Sequence, residues 1–271
     1  MDEETARALG IDTSVTHPAR RYNYLLGGTD NFAADRESGD MILKVFPEAR
    51  VSALENRAFL VRAVQYLAAE AGIDQFLDIG TGLPTADNTH EIAQRINPAS
   101  RVVYVDNDPL IAHHAKALLT STPEGRTHYL EADLRDPAGI LEHPEVREVL
   151  DLGRPVGLVL LAVLHFIEGD AQATAIVRQL LDALPSGSHL VVTHVTLDAS
   201  APEVRAASDA MQASGKLDAW PRTREQFERF FDGLELVPPG IVLLSDWRPA
   251  PGVERPPTPA IGGYAAVGRK P

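Results

Sequence analysis

The chain has 271 residues, of which 44% are hydrophobic and 23% are charged, values that are ordinary for a folded globular protein. Its 25 basic and 38 acidic residues give a formal net charge of −13, which disfavours nucleic acid and anionic membrane surfaces as partners. Because cysteine is absent, disulfides, thiolate nucleophiles, zinc–thiolate sites and cysteine-ligated iron–sulfur clusters are excluded.

The first residues, MDEETARALGIDTS, are polar and acidic, without the basic start and apolar core of a signal peptide. The longest apolar run, Val156 to Ile167, is shorter than the ~18–20 residues that a membrane span requires. We therefore expect a cytoplasmic protein whose partners are small molecules rather than nucleic acid or membranes.

The N-terminal quarter of the chain has a helical pattern. Apolar residues recur at three- and four-residue intervals and predict one long helix over about 48–71, which ends near Gly72. Ahead of it, the segment RRYNYLLGGTDNFAADRE carries the pair Gly27-Gly28 between two short helical stretches. These features predict a helical cap over residues 1–72 that belongs to the same domain as the rest of the chain.

From residue 73 onward, short β-rich runs alternate with amphipathic helices. This alternation is typical of parallel strands joined by right-handed helical crossovers, which place helices on both faces of one sheet. The predicted strands are Gln75–Ile79, Arg101–Asp106, Thr127–Ala132, Val156–Ala162 and Ser188–Thr196, and the predicted helices are Thr89–Ile96, Pro109–Leu119, Asp170–Leu184, Pro202–Ser214 and Thr223–Phe231.

Two further β-like runs, Ile241–Ser245 and Tyr264–Gly268, follow the last helix. The proline-rich stretch between them, WRPAPGVERPPTPA, is typical of a surface loop, so the two runs are expected to form an antiparallel hairpin. The sequence thus predicts an α/β fold: a Rossmann-like, seven-stranded, mostly parallel sheet over residues 73–271, with helices on both faces, this terminal hairpin and the N-terminal helical cap.

The strongest local signal is FLDIGTG, a short apolar strand that ends in a glycine-rich turn before a helix. Gly80 and Gly82, on either side of Thr81, would let the backbone approach a ligand at the carboxyl end of this strand, where open α/β sheets bind ligands. A nicotinamide fingerprint requires Gly or Ala at its sixth position, and Thr85 stands there instead. Asp78 lies inside the strand, and its buried carboxylate needs donors, either a ligand ammonium or N–H groups of the glycine loop.

Acidic residues also end the second and third predicted strands. Asp106 lies where a carboxylate would accept hydrogen bonds from the two hydroxyls of an adenosine ribose, with Asn107 beside it. Asp133 can accept from an adenine amino group, and Leu134 can offer a backbone N–H to a ring nitrogen. Acidic residues at such positions are equally typical of helix caps and polar turns, and that interpretation stays open.

Histidines offer two further candidates. His165 follows the apolar fourth strand, where a substrate would meet a cofactor, and it is either a base or a packed side chain. The pair His90-Glu91 resembles the start of a zinc-protease motif, but Gln94 stands where the second histidine is required. We therefore predict no metal site.

In order and spacing, FLDIGTGLPT, VVYVDNDP, EADLRDP and LLAVLHFIEGD resemble the four successive cofactor motifs of class I S-adenosylmethionine-dependent methyltransferases. More narrowly, RRYNYLLGGTDNFAADRE followed by FLDIGTGLPTADNTHE is similar to a bacterial family of S-adenosyl methyltransferases long catalogued as a domain of unknown function. The similarity extends over about Pro18 to Gly268.

The resemblance implies S-adenosyl-L-methionine as the cofactor. The residues that it assigns to cofactor binding are Asp78, Gly80, Thr81 and Gly82 for the methionine part, Asp106 and Asn107 for the ribose, Asp133 and Leu134 for the adenine, Ala162 beside the sulfonium, and Tyr22 over the cofactor carboxylate.

Methyl transfer from a sulfonium is an in-line displacement with a neutral leaving group, so alignment and exclusion of water can supply much of the rate. No base is therefore assigned among His165, His194 and Tyr22, and we expect a small-molecule acceptor. Two alternatives stay open: a regulatory module that binds the cofactor without transfer, and a nicotinamide-dependent oxidoreductase. Thr85 and the lack of a Tyr-x-x-x-Lys pair disfavour the oxidoreductase.

Overall fold

The computed structural model describes residues 1, 3–118, 120–252, 255–257 and 262–271. The N-terminal part contains helices α1 (Glu3–Ala8), α2 (Pro18–Leu25), α3 (Ala33–Val45) and α4 (Ala49–Ala69). Helix α4 is the long helix predicted over 48–71, and Gly72 follows it in the left-handed conformation that commonly ends a helix. None of the described helices combines the length and apolar character that a membrane span requires.

The predicted alternation of strands and helices is present after residue 73. Strands β1 (Gln75–Ile79), β2 (Arg101–Asp106), β3 (Arg126–Glu131), β4 (Gly157–Leu161) and β5 (His189–Val195) are parallel and adjacent in the order β3-β2-β1-β4-β5. The helices are α5 (Thr89–Ile96), α6 (Pro109–Leu118), α7 (Pro137–Glu142), α8 (Pro144–Val149), α9 (Asp170–Asp182), α10 (Pro202–Ala213) and α11 (Arg224–Glu228). Short helices α1, α7 and α8 add to the predicted elements, and Leu119, the predicted end of α6, lies outside the described residues.

The end of the chain completes the sheet with antiparallel strands. Strand β8 (Gly263–Arg269) pairs with β5 and also with the short strands β6 (Glu235–Leu236) and β7 (Val242–Leu243). The predicted hairpin is confirmed between β7 and β8, and β6 makes the described sheet eight-stranded rather than seven-stranded. The prolines at 238 and 239 have no N–H to donate to a neighbouring strand, which divides this edge into two short strands. Residues 253–254 and 258–261 of the predicted proline-rich loop and its surroundings lie outside the described residues.

Apolar residues cover the two faces of the sheet in alternation, because successive residues of a strand point to opposite faces. Leu77 and Leu158 belong to the buried cluster that includes Ile176 of α9. Phe76 and Val159 belong to the cluster formed with the buried side of α4 and α5. Helices therefore cover both faces, as predicted for this Rossmann-like fold.

The N-terminal helices take two positions relative to the sheet. Helix α4 packs on one face of the sheet through its buried side, whereas α2 and α3 contact each other and line a cavity at the carboxyl ends of the parallel strands. The division into a cap over residues 1–72 and a sheet domain over residues 73–271 stays a prediction.

Candidate active site

A cavity of about 540 Å³ lies at the carboxyl ends of the parallel strands, between the sheet and helices α2, α3, α4 and α10. Its size falls in the range of about 300–1,000 Å³ that is typical of small-molecule sites. All the residues that the sequence assigns to cofactor binding line this cavity: Tyr22, Asp78, Gly80, Thr81, Gly82, Asp106, Asn107, Asp133, Leu134 and Ala162. The structure brings these residues together, while their individual roles in binding stay predictions.

The glycine loop has a backbone that requires glycine. Gly80 and Gly82 have φ values of +77° and +68°, in the left-handed region that other residues rarely adopt. A Cβ atom on Gly80 would lie 2.6 Å from the side chain of Val163, so this position is also closed sterically. The N–H groups of Gly80 and Thr81 donate to the carbonyl of Val105, which fixes the loop to β2.

Asp78 is buried at the floor of the cavity, and burial raises its pKa from 3.8 to about 6. The hydroxyl of Thr89, the first residue of α5, donates to its Oδ2 at 2.6 Å. The expectation that loop N–H groups supply the donors is wrong, because those groups donate to Val105 and Asp106. A ligand ammonium beside Asp78 would offset the cost of burying its charge.

Asp106 ends β2 with its carboxylate held by two backbone donors. Its Oδ2 accepts the N–H of Gly82 at 2.8 Å, and its Oδ1 accepts the N–H of Asp108 at 3.1 Å. Each carboxylate oxygen has a second acceptor position, so one hydrogen bond to each oxygen stays available. This arrangement fits a pair of neighbouring hydroxyls such as those of a ribose, and it supports the prediction made for Asp106.

Asp133 and Asn107 form a polar network at another edge of the cavity. The amide of Asn107 donates to Asp133 Oδ2 at 3.0 Å, and the backbone N–H of Arg135 donates to Oδ1 at 2.8 Å. The guanidinium of Arg135 also contacts this carboxylate and donates to the carbonyl of Phe166 at 3.1 Å. The carboxylate that the sequence assigns to an adenine is thus oriented by three donors before any ligand binds.

Ala162 follows β4 with φ of +52°, a conformation that costs a residue with a Cβ about 1–2 kcal/mol. Its N–H donates to Thr193 Oγ1 at 2.9 Å, and the Thr193 hydroxyl donates to Asn56 Oδ1 at 2.6 Å. The amide of Asn56 donates to the Tyr22 hydroxyl at 2.9 Å, which donates in turn to the carbonyl of Ala53 at 3.0 Å. This chain of hydrogen bonds connects α2, α4 and β5 to the end of β4.

Two histidines of the cavity, His165 and His194, are held as neutral side chains. Arg222 donates to His194 Nε2 at 2.7 Å, and since a guanidinium has no acceptor, that nitrogen carries no proton. Burial, together with the charges of Arg21 and Arg222, lowers the pKa of His165 to about 3. Neither histidine is therefore suited to accept a proton from a substrate at neutral pH.

His90, which opens the rejected metal motif, contacts Tyr104. Its Nδ1 lies 2.7 Å from the Tyr104 hydroxyl, and its backbone N–H donates to the same oxygen at 2.8 Å. Across the described ranges, no group of three or more His, Asp or Glu side chains is arranged to hold a metal ion.

The cavity and supporting residues that sequence reasoning missed include Thr89, Asn56, Thr193 and Arg57. A signal exists for two of them. Asn56 lies between Ala53 and Leu60 on the buried face of α4, and Thr193 interrupts the apolar strand β5. Buried polar residues need partners, so such interruptions of an apolar pattern mark candidate networks.

Known proteins resemble the chain over nearly its whole length. A family model described as S-adenosyl methyltransferase matches residues 4–271. A solved structure of a DUF574 family protein from Streptomyces avermitilis is 48% identical with a TM-score of 0.89, over 96% of this chain and 99% of that one. A Thermobifida fusca protein described as a candidate methyltransferase is 43% identical with a TM-score of 0.87, over 96% of this chain and 97% of that one. No curated protein sequence matches the chain.

Proposed function

The chain belongs to the S-adenosyl methyltransferase family, and from this premise we propose that it transfers a methyl group from S-adenosylmethionine to a small-molecule acceptor. The observation that carries the proposal is the single cavity that gathers Asp78, Asp106 and Asp133 at the ends of three adjacent strands. The family's cofactor is S-adenosylmethionine, so the nicotinamide alternative is set aside. A cytoplasmic location, without nucleic-acid or membrane partners, is part of the proposal.

S-adenosylmethionine, when bound, supplies an electrophilic methyl group on a sulfonium that departs as a neutral thioether. In the proposed site Asp106 accepts hydrogen bonds from the ribose hydroxyls, and Asp78 faces the ammonium. Asp133 and the Leu134 N–H orient the adenine. Helices α2 and α3 keep water from the reacting atoms.

We assign the rate acceleration to alignment and exclusion of water rather than to a general base. Neither His194 nor His165, the two histidines considered as bases, offers a free, basic nitrogen, since His194 accepts from Arg222 and the pKa of His165 is lowered to about 3. Holding two reactants in line can by itself supply about 7–11 kcal/mol of the barrier. The acceptor keeps its proton through the transfer, and the methylated product releases that proton to solvent after it leaves the cavity.

Calorimetric titration of S-adenosylmethionine into Asp106→Ala tests the proposed cofactor site. Loss of the carboxylate removes the acceptor for two ligand hydroxyls, so the affinity should fall at least tenfold, about 1.4 kcal/mol. Glu131→Ala is the matched control, because Glu131 ends the neighbouring strand β3 but is exposed and outside the cavity. Equal affinities for Asp106→Ala and the wild-type protein would remove Asp106 from the site.

Because neither His165 nor His194 is suited to act as a base at neutral pH, a second candidate is also favoured, a regulatory module that binds S-adenosylmethionine without transferring its methyl group. The two candidates differ in turnover. A transferase forms S-adenosylhomocysteine when it is supplied with a panel of small-molecule acceptors, whereas a regulatory module binds the cofactor tightly and forms none with any of them.

A further inference from the structure

Arg21 is a charged residue of the cavity that lies outside the cofactor motifs. Arg21 on α2 is buried, with 5% of its side chain exposed, and it lines the cavity. Its Nη1 donates to Ser38 Oγ at 3.1 Å, and its Nη2 donates to Asp218 Oδ1 at 2.5 Å. Its guanidinium lies 5.8 Å from the ring centroid of Phe166, in the segment that follows Ala162.

The carboxylate that neutralises Arg21 comes from a surface loop. Asp218 lies in the irregular segment after α10, and 41% of its side chain is exposed. A buried cation needs a countercharge, but an exposed aspartate can turn to water at little cost while the arginine cannot. Asp218 therefore occupies a position that the carboxylate of a ligand can take.

The cavity that Arg21 lines has a largely apolar wall. Leu25, Phe46, Met211 and Trp220 belong to this wall, so a ligand held by the guanidinium can bury an apolar body in the same cavity. His165 also lines the cavity, and its buried Nδ1 has no hydrogen-bond partner among the described residues. An unsatisfied buried nitrogen of this kind marks a place where a hydrogen-bonding group of a ligand would be accommodated.

A separate cation is available for the carboxylate of the cofactor. Arg57 on α4 lines the cavity and acts electrostatically on Asp78 and Tyr22, at the methionine end of the proposed cofactor site. Its Nη2 donates to the carbonyls of Ala86 and Asp87, next to the glycine loop. This placement leaves Arg21 free for a different carboxylate.

We propose that Arg21 is the acceptor-binding residue of the cavity, and that the acceptor is an apolar small molecule carrying a carboxylate, which replaces Asp218 on the guanidinium. This inference rests on the proposed methyltransferase function and specifies its substrate class. The bidentate geometry of a guanidinium matches a carboxylate better than it matches a neutral amide.

The test uses phenylacetate and phenylacetamide, which have nearly the same shape and differ in charge. Their dissociation constants are measured by ligand-observed NMR on the full chain saturated with S-adenosylhomocysteine. We expect phenylacetate to bind the wild-type protein at least tenfold more tightly than phenylacetamide. Arg21→Gln should abolish this preference, while Arg36→Gln, which removes an exposed arginine of the same N-terminal region outside the cavity, should preserve it.

Asp218→Asn is expected to change the affinity for phenylacetate in the opposite direction to Arg21→Gln. Removing the competing carboxylate should tighten phenylacetate binding at least threefold and leave phenylacetamide unchanged. Equal affinities for the two probes in the wild-type protein, no binding of either probe, or an unchanged preference in Arg21→Gln would overturn the proposal.

Titration of S-adenosylmethionine separates this proposal from the proposed function. Unchanged cofactor affinity in Arg21→Gln supports an acceptor role and shows that the variant is folded. Cofactor affinity that falls tenfold in this variant would assign Arg21 to the cofactor carboxylate and overturn the acceptor role. If the wild-type protein binds no S-adenosylmethionine, the methyltransferase proposal itself fails.

Discussion

At the scale of single residues, the buried carboxylate of Asp78 destabilises the folded protein when it is charged, and a ligand cation beside it would reduce this destabilisation. Its folded pKa of about 6 exceeds the ordinary value of 3.8 because burial disfavours the charged carboxylate. The folded protein therefore holds a proton that the unfolded chain releases. The resulting stabilisation is complete below about pH 4 and is lost as the pH rises through 6.

Asp78→Asn removes this buried charge. We expect the cofactor-free variant to be more stable than the wild-type protein at pH 7.5, by about 1–3 kcal/mol in the free energy of unfolding. The difference should shrink toward pH 4, where the wild-type carboxyl is protonated. Urea unfolding across pH 4–8 measures it.

The control for this prediction is Asp232→Asn, which changes an exposed aspartate outside the cavity. Its stability should follow the pH profile of the wild-type protein. Cofactor affinity should fall in Asp78→Asn alone, because the neutral amide no longer attracts the ammonium. If the free energy of unfolding of Asp78→Asn depended on pH as strongly as that of the wild-type protein, the assignment of the shifted pKa to Asp78 would be wrong.

At the scale of elements, the hydrogen-bond chain through Asn56 fixes how α2, α4 and β5 meet at the end of β4. Asn56 and Thr193 are both buried, so each lost hydrogen bond leaves a partner without water to replace it. The same chain of hydrogen bonds holds the N–H of Ala162, whose backbone has the left-handed conformation. Its members therefore contribute to both stability and site geometry.

Asn56→Ala and Thr193→Val should each lower the free energy of unfolding by about 1–3 kcal/mol, because each leaves buried polar groups unpaired. The double variant should lose less free energy of unfolding than the two single variants lose together, since both changes break the same chain of hydrogen bonds. Chemical denaturation of the wild-type protein, the two single variants and the double variant measures the coupling between Asn56 and Thr193. Leu54→Ala, on the exposed side of the same helix, is the control and should change stability little. Strictly additive losses would show that the two residues act independently.

The parallel strands could be predicted from the sequence, whereas the antiparallel edge of the sheet could be predicted only in part. Strands β1, β2, β4 and β5 are buried, mostly apolar runs bounded by turn residues, whereas β3 is more polar and more exposed. The bounds of all five strands agree with prediction within one residue. Strand β6, Glu235–Leu236, is exposed and short, so it carries neither an apolar run nor an alternation that a pattern could reveal. It forms only because β8 offers it an edge.

At the scale of the whole molecule, the cavity lies between the sheet and the N-terminal helices, so a bound cofactor contacts both. Ligand that binds only the folded state stabilises it, by about 2.7 kcal/mol at a hundred times the dissociation constant. Because α2 contributes Tyr22 and Arg21 to the cavity wall, a bound cofactor should also suppress the local opening of α2.

Hydrogen exchange with and without S-adenosylhomocysteine measures this suppression. Amides of α2 and of the glycine loop should gain protection on binding, and amides of α9, which lies away from the glycine loop on the other side of the sheet from α4, should gain less. Equal gains in α2 and α9 would indicate global stabilisation without closure of the N-terminal helices over the ligand.

The sequence by itself determined the parallel α/β sheet, the glycine loop with Asp78, and the acidic residues at the ends of β2 and β3. These features depend on periodicity and turn chemistry, which act over a few neighbouring residues. Only the tertiary structure decided which distant side chains meet: Thr193 with Asn56, Arg222 with His194, and Arg21 with Asp218. Each pair joins segments far apart in the chain, and its geometry is set by how the helices pack against the sheet.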